Sequence, residues 1–395
     1  MTNRNLKPAQ LKAELDKCLH CAAKPCMKAC PVHCSPCDFI AEAKAGNWQK
    51  AAALIESQNP LAQSCGLICP DKFCMKACIR ANLDRPIKIP AVQAAIMQKA
   101  RAETETQTEK PETVSAPDGK YVAVIGAGPA GIGAAAELSA RGYRVVVFEK
   151  EAGIGGALNL IPPERLPQSI IAADWQSLVK KSGLTLKCRQ IVCDYKALLQ
   201  QGFAGVIVAI GEQKCRTLGI DGENLSISYV DYLREPQRYQ TTGNVAVVGG
   251  GEVALDCALT AKRLGGTVEM FVRRRLSDMR MGPDDYMDLI HHEINVTTMT
   301  RISKIERQTP DLLTAWAVKT KFNKEGRLED IANTLTARPD FSLIILALGS
   351  CCKEEKLENP YIIYAGDCQT GGSTAVEAVA SGKTAARELA EKLAA

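Results

Sequence analysis

The sequence predicts an all-helical, cysteine-rich segment followed by an α/β region of two βαβ-built domains, and three observations predict it. Of the 17 cysteines, ten fall within the first 78 residues. From Tyr121 an apolar run, a glycine-rich turn, an Ala-rich helix and a second apolar run follow one another, and the pattern recurs over 244–272, roughly 120 residues later. Between the two regimes lies RAETETQTEKPETVSAPDG (101–119), rich in Glu, Thr and Pro, which cannot bury enough apolar surface to order itself. The implied organisation is a helical domain over 1–100, a linker over 101–119, a first α/β segment over 120–235, a second α/β domain over 236–345 and a return to the first over 346–395.

Composition narrows the function. A chain of 395 residues is too long for one core, and 46% hydrophobic with 24% charged residues is globular. The net charge of +5 carries no long basic block, which argues against a nucleic-acid partner. MTNRNLKPAQ lacks an apolar signal core and no 18-residue apolar stretch follows, so no membrane partner and a cytoplasmic location are expected. An odd number of cysteines in such a chain points to metal or redox chemistry rather than a disulfide framework.

Short helical pieces are expected between the cysteines, including Phe39 to Ile55 with a break near Gly46-Asn47. The thiols form two runs, Cys18-x2-Cys21-x4-Cys26-x3-Cys30-Pro31 and Cys65-x3-Cys69-x4-Cys74-x3-Cys78. Such spacings suit two [4Fe–4S] cubanes, in which a fourth cysteine often serves the other cluster. Structural zinc is the competing reading, but it favours CxxC knuckles or His partners, and only His20 and His33 lie nearby. Cys34-x2-Cys37 reads as a redox pair, an extra ligand set or spare thiols beside a cluster. Cys188, Cys193, Cys215, Cys257 and Cys368 default to buried structural thiols.

The first α/β unit opens with YVAVI and the turn Gly126-Ala127-Gly128-Pro129-Ala130-Gly131. Continuous apolar runs suit strands buried on both faces of a parallel sheet. The first glycine allows the tight turn, the second lets backbone approach a pyrophosphate, and the third lets helix pack on strand. Glu149 ends the second strand, where an acid bonds ribose hydroxyls. The second turn, Gly249-Gly250-Gly251-Glu252-Val253-Ala254, has Arg273-Arg274-Arg275 and Arg280 where the first site has its acid. Arginines pair with a 2′-phosphate, so this site reads as built for NADPH, against the bland reading of a solvated turn. GVIVAIG (205–211) and SLIILALG (342–349) are a matched pair of strands, one after each βαβ unit.

The order of cysteine runs, linker and two dinucleotide motifs resembles the glutamate synthase small subunit family and, more closely, the NADPH/FAD half of dihydropyrimidine dehydrogenase. Pro86-Ile87-Lys88-Ile89-Pro90-Ala91-Val92-Gln93, the stretch Glu149 to Gly156, Arg165-Leu166-Pro167 and Ala365-Gly366-Asp367 add to it. The resemblance implies an all-α iron–sulfur domain and two Rossmann-like domains of the glutathione/thioredoxin-reductase type. It implies one cluster on Cys18, Cys21, Cys26 and Cys78, a second on Cys30, Cys69, Cys74 and Gln93, and Cys65 left over. FAD would contact Gly126, Ala127, Gly128, Pro129, Ala130, Gly131, Glu149, Lys150, Gly155, Gly156, Arg165, Gly366, Asp367, Thr374 and Ala375. NADPH, or NADH, would contact Gly250, Gly251, Glu252, Val253, Arg273, Arg274, Arg280, Ala347 and Gly349. The implied activity is hydride transfer from the nicotinamide to FAD, then single electrons through the clusters to a partner catalytic subunit. That partner is expected to be an FMN-barrel pyrimidine reductase, or another redox subunit. The chemistry belongs to the cofactors, so no catalytic side chain is named. Two departures stand out: the loop between Gly156 and Arg165 is one residue short, and the family has no thiols at Cys34 and Cys37.

Overall fold

A computed structural model describes residues 5–106, 119–212, 214–239, 241–279, 281–352 and 355–394. Two compact units divide the chain: Lys214–Ser350 with Leu160–Pro162 form one, and Asn3–Asn159, Pro163–Gln213 and Cys351–Ala395 the other.

The larger unit joins the helical segment to the first α/β fold. Proline sits in the first turn of helices Pro8–Asp16, Pro25–Ala29 and Pro36–Lys44, where its missing N–H costs nothing. The expected break is present: Pro36–Lys44 ends before Gly46, whose φ is +82°, and Trp48–Glu56 resumes. Phe39, Ile40, Ala51, Ile55, Leu61, Val92 and Ile96 are fully buried among these helices. Helix Ile89–Thr106 crosses Ala62–Ile68 so closely that a Cβ on Gly66 would lie 2.7 Å from the Ala94 nitrogen. It runs on to Thr106, into the stretch whose composition reads as a linker; the rest of that stretch, 107–118, lies outside the described residues.

The α/β fold of this unit is a five-stranded parallel sheet ordered Ile362–Tyr364, Gly205–Val208, Tyr121–Ile125, Arg144–Phe148, Thr185–Lys187. Beyond Tyr121 and Arg144 at the strand starts, four of these strands are buried on both faces, as their uninterrupted apolar runs require. Ile125 pairs with Phe148, which sets Gly126 and Glu149 side by side at the carboxyl edge. Helices Pro129–Ala140 and Ala375–Ala394 cross in contact: a Cβ on Gly382 would come within 1.9 Å of the Ala130 oxygen, and one on Gly133 within 2.4 Å of the Val379 oxygen.

The second unit is built on a sheet whose main path runs Asn295–Thr298, Gly266–Val272, Gly243–Val248, Thr336–Leu346, Leu313–Phe322, Thr300–Arg307. Its first four strands are parallel and the last pairs antiparallel. The boundary expected at 235/236 falls earlier, at 213/214. Strand Ile227–Ser228 pairs with Thr336–Leu346, and Tyr229 and Tyr232 of helix Tyr229–Arg234 are buried in this unit's core, so 214–235 is held here by packing.

Candidate functional site

The turns expected to hold FAD come together around one helix N-terminus. Gly126 has φ of +103°, and a Cβ there would lie 2.5 Å from the Ala209 oxygen, so strand and turn permit only glycine. Gly131 packs on Gly126, where a Cβ would sit 1.8 Å from its oxygen. Gly128, by contrast, has open space above it: the nearest atom to its added Cβ is the Gly156 Cα at 3.8 Å. These are the three roles a pyrophosphate turn needs. Pro129 opens helix Pro129–Ala140, with Ala130 buried behind it. Gly155 donates to the Ala127 oxygen at 2.8 Å, and Gly366 approaches so near that a Cβ would be 2.6 Å from that of Ala130.

Glu149 is buried; Oε2 accepts from the Ala127 N–H at 2.7 Å and Oε1 from Glu151 at 2.9 Å. The acid thus braces the turn, and each oxygen keeps acceptor capacity for a hydroxyl. Burial raises the Asp367 carboxyl against the hydroxyl of Ser373, which donates at 2.5 Å. Thr374 and Glu377 cap the helix begun by Ala375, with bonds of 3.0 and 2.7 Å. Arg165 is half-buried on the turn leading into helix Gln168–Ser182, and Lys150 is exposed.

In the second unit a Cβ on Gly249 would meet the Ala347 oxygen at 2.3 Å, and one on Gly250 the Val272 Cγ1 at 2.8 Å, while Gly251 is open. Glu252 and Val253 begin helix Glu252–Arg263, and Gly349 turns with φ of +79° beside it in sequence after Ala347. Arg273 and Arg274 are exposed, and among the described residues neither has a carboxylate within ion-pairing distance. Backbone bonds hold their positions: the Arg273 oxygen accepts from Thr320 at 2.8 Å and that of Arg274 from Met299 at 3.0 Å. Arg275 stacks on Phe322 at 4.8 Å instead, and Arg280 lies outside the described residues.

The thiols separate into two sets. Cys18, Cys21 and Cys26 of the first run and Cys78 of the second line one cavity, walled by Pro25, Pro36, Ile40, Ile87 and Ile89. Among the described residues no three His, Cys, Asp or Glu side chains close on a point as the ligands of a single ion would. These four cysteines share the lining of one space, as ligands of a cubane with its own bridging sulfides would. Burial raises Cys18 and pushes Cys26 up to about 11, so the cavity disfavours free thiolates until cationic iron offsets their charge.

Cys30, Cys65, Cys69 and Cys74 make the second neighbourhood. A hydrogen bond from Cys34, working against burial, brings Cys30 down to about 6. A hydrogen bond to Cys65, with burial, raises Cys69, and burial pushes Cys74 up to about 12. The ligand set implied by the resemblance leaves Cys65 over; it is buried here, against Cys69. Gln93 is buried, and its Nε2 donates to the Ala62 oxygen at 2.6 Å. Of the scattered cysteines expected to be buried, only Cys257 and Cys368 are; Cys193 is exposed, and Cys188 and Cys215 are half-buried.

One functional residue had no sequence signal. Asp174, 1% exposed on helix Gln168–Ser182, accepts from the Gln63 N–H at 3.1 Å, the Ser64 N–H and Oγ at 2.8 and 2.6 Å, and Arg101 at 2.6 Å. It locks the helix carrying Cys65, and Cys69 at its end, to the flavin fold.

Comparison with known proteins fits this geometry. Residues 120–382 match the family model described as pyridine nucleotide-disulphide oxidoreductase. The chain belongs to that family. Its first 105 residues match a dihydropyrimidine dehydrogenase domain II, 4Fe-4S cluster model, so this member of the pyridine nucleotide-disulphide oxidoreductases carries an iron–sulfur domain at its N-terminal end. It is 32% identical over 405 residues to the NAD-dependent dihydropyrimidine dehydrogenase subunit PreT of Escherichia coli K12, covering 95% of this chain and 92% of the relative. It is 31% identical over 311 residues to the NADP(+)-dependent formate dehydrogenase subunit beta of Moorella thermoacetica, covering 70% of this chain and 44% of that one. FprA of Mycobacterium tuberculosis in complex with NADPH shares the fold, with a TM-score of 0.57 at 15% identity over 70% of this chain and 85% of that one. The chain is therefore an NAD(P)H-dependent oxidoreductase with flavin and iron–sulfur centres. Among the described residues no helix is long and apolar enough to cross a membrane.

Proposed function

We propose that this chain is the electron-input subunit of a two-part pyrimidine reductase, taking electrons from NADPH and delivering them through two [4Fe–4S] clusters to a partner that holds the substrate. One observation carries the reading: both thiol sets and the flavin turns lie in one compact unit, tied together by Asp174. The FAD that these turns would hold would supply hydride acceptance and its division into single electrons, which clusters can carry.

The chain's own residues bind and orient. Gly126, Gly128 and the N-terminus of helix Pro129–Ala140 would take the FAD pyrophosphate, Glu149 the ribose, and the Gly366-Asp367 turn with Thr374 and Ala375 the flavin end. Gly250 to Val253 would take the nicotinamide dinucleotide's pyrophosphate. Arg273 and Arg274, exposed and unpaired by carboxylates among the described residues, would take its 2′-phosphate. Cys18, Cys21, Cys26 and Cys78 would hold one cluster, and Cys30, Cys69, Cys74 and Gln93 the other. The E. coli relative, matched nearly end to end, is named as a dihydropyrimidine dehydrogenase subunit, which supports a pyrimidine-reducing partner docked through residues 1–100.

The test is NADPH oxidation by the anaerobically purified chain. It should reduce ferricyanide but leave uracil and thymine untouched until an FMN-containing pyrimidine reductase subunit is added. Uracil-dependent NADPH oxidation by this polypeptide alone would overturn the proposal.

A further inference from the structure

Cys34 and Cys37 are spaced like a redox pair, yet the fold sends them to different places. Cys34 is buried, hydrogen-bonded to Cys30, and in the electrostatic neighbourhood of Cys65 and Lys383. Cys37 lines the cavity of Cys18, Cys21, Cys26 and Cys78. A cubane takes four protein ligands, and this cavity offers five thiols.

Cys37 is held there by its surroundings. It occupies the first turn of the nine-residue helix Pro36–Lys44 and is 7% exposed. Its neighbour Asp38 accepts from Lys24 at 2.9 and 2.7 Å, and Lys24 stands between Cys21 and Cys26 in the ligand loop. The ion pair clamps the start of the Cys37 helix onto that loop. Among the described residues the Cys37 sulfur has only weak partners, Asp38 Oδ1 at 3.4 Å and Ser35 Oγ at 3.7 Å, so little opposes its turning to iron.

We propose that Cys37 is a reserve ligand of the cluster in this cavity, able to replace Cys26 or Cys18 on iron; the proposal rests on the cluster reading above. The exchange balances without an oxidant: one iron–sulfur bond to Cys26 breaks, one to Cys37 forms, and the proton leaving the Cys37 thiol is taken by the released thiolate. The iron oxidation states do not change.

The experiment measures iron, acid-labile sulfide and FAD per chain, with EPR of the reduced protein, in the parent and in Cys26→Ala, Cys37→Ala and the double variant. The parent and Cys37→Ala should hold about eight irons. Cys26→Ala should keep about eight with one altered EPR signal, and the double variant should fall to about four with FAD retained. A drop to about four in Cys26→Ala alone, or in Cys37→Ala alone, overturns the proposal, as does a double variant that keeps eight. If Cys26→Ala does not fold, Cys18→Ala with and without Cys37→Ala carries the same comparison. A parent without iron and sulfide would instead refute the cluster reading.

Discussion

Replacing Asp174 with Ala removes four hydrogen bonds at once. The carboxylate accepts from the Gln63 and Ser64 N–H groups at 3.1 and 2.8 Å, and it pairs with Arg101, whose side chain is 22% exposed, at 2.6 Å. Losing one member of a buried, hydrogen-bonded ion pair costs about 3–5 kcal/mol, because the remaining charge and donors stay desolvated. For a unit of this size that corresponds to a fall in Tm of roughly 6–20 °C. Burial holds the Asp174 carboxyl above the ordinary carboxylate range in spite of Arg101, so the native state binds the extra proton. Stability therefore declines as pH rises from the unfolded value through the raised folded one and is level above it. The assay is thermal unfolding of the flavin- and iron-loaded protein followed by far-UV circular dichroism, with the Asp174→Asn/Arg101→Gln cycle to isolate the pair. A Tm within about 2 °C of the parent for Asp174→Ala would show that the lock between the iron–sulfur helices and the flavin fold does not bear on stability.

Arg273 and Arg274 together should favour NADPH over NADH: exposed charge-assisted contacts at the low end of about 1.5–3 kcal/mol each imply that the double Ala variant loses at least tenfold in the ratio of kcat/KM values. Equal use of both nucleotides by the parent would refute that assignment. Gln93→Ala should perturb one EPR signal and leave the other unchanged, since the bond to Ala62 ties the amide to the helix that carries Cys65. Gly382→Ala places a methyl 1.9 Å from the Ala130 oxygen, so helix Ala375–Ala394 must move off the flavin turn; a cost of about 1–3 kcal/mol and a lower FAD content per chain are expected, read by absorbance of the desalted protein.

Local chemistry made much of this protein legible in its residues. Apolar runs before glycine turns located both parallel sheets, because strands covered on two faces cannot alternate, and Gly126, Gly131 and Gly249 stand where any side chain would meet a backbone oxygen. The two cysteine runs announced metal chemistry by spacing alone. What lay hidden depends on contacts between residues far apart in the chain. Nothing near Asp174 in sequence shows that it will cap a helix 110 residues earlier, and the spacing of Cys34 and Cys37, which fits a redox pair, extra ligands or spare thiols, does not show that only Cys37 lines the first cavity. The boundary at 213/214 was likewise set by Tyr229 and Tyr232 choosing a core, not by any break in composition. Periodicity and turn chemistry act within a few residues and can be read one segment at a time. Burial of a charge, or the choice of which thiols share a cavity, is a property of the packed whole, so only the tertiary structure decided it.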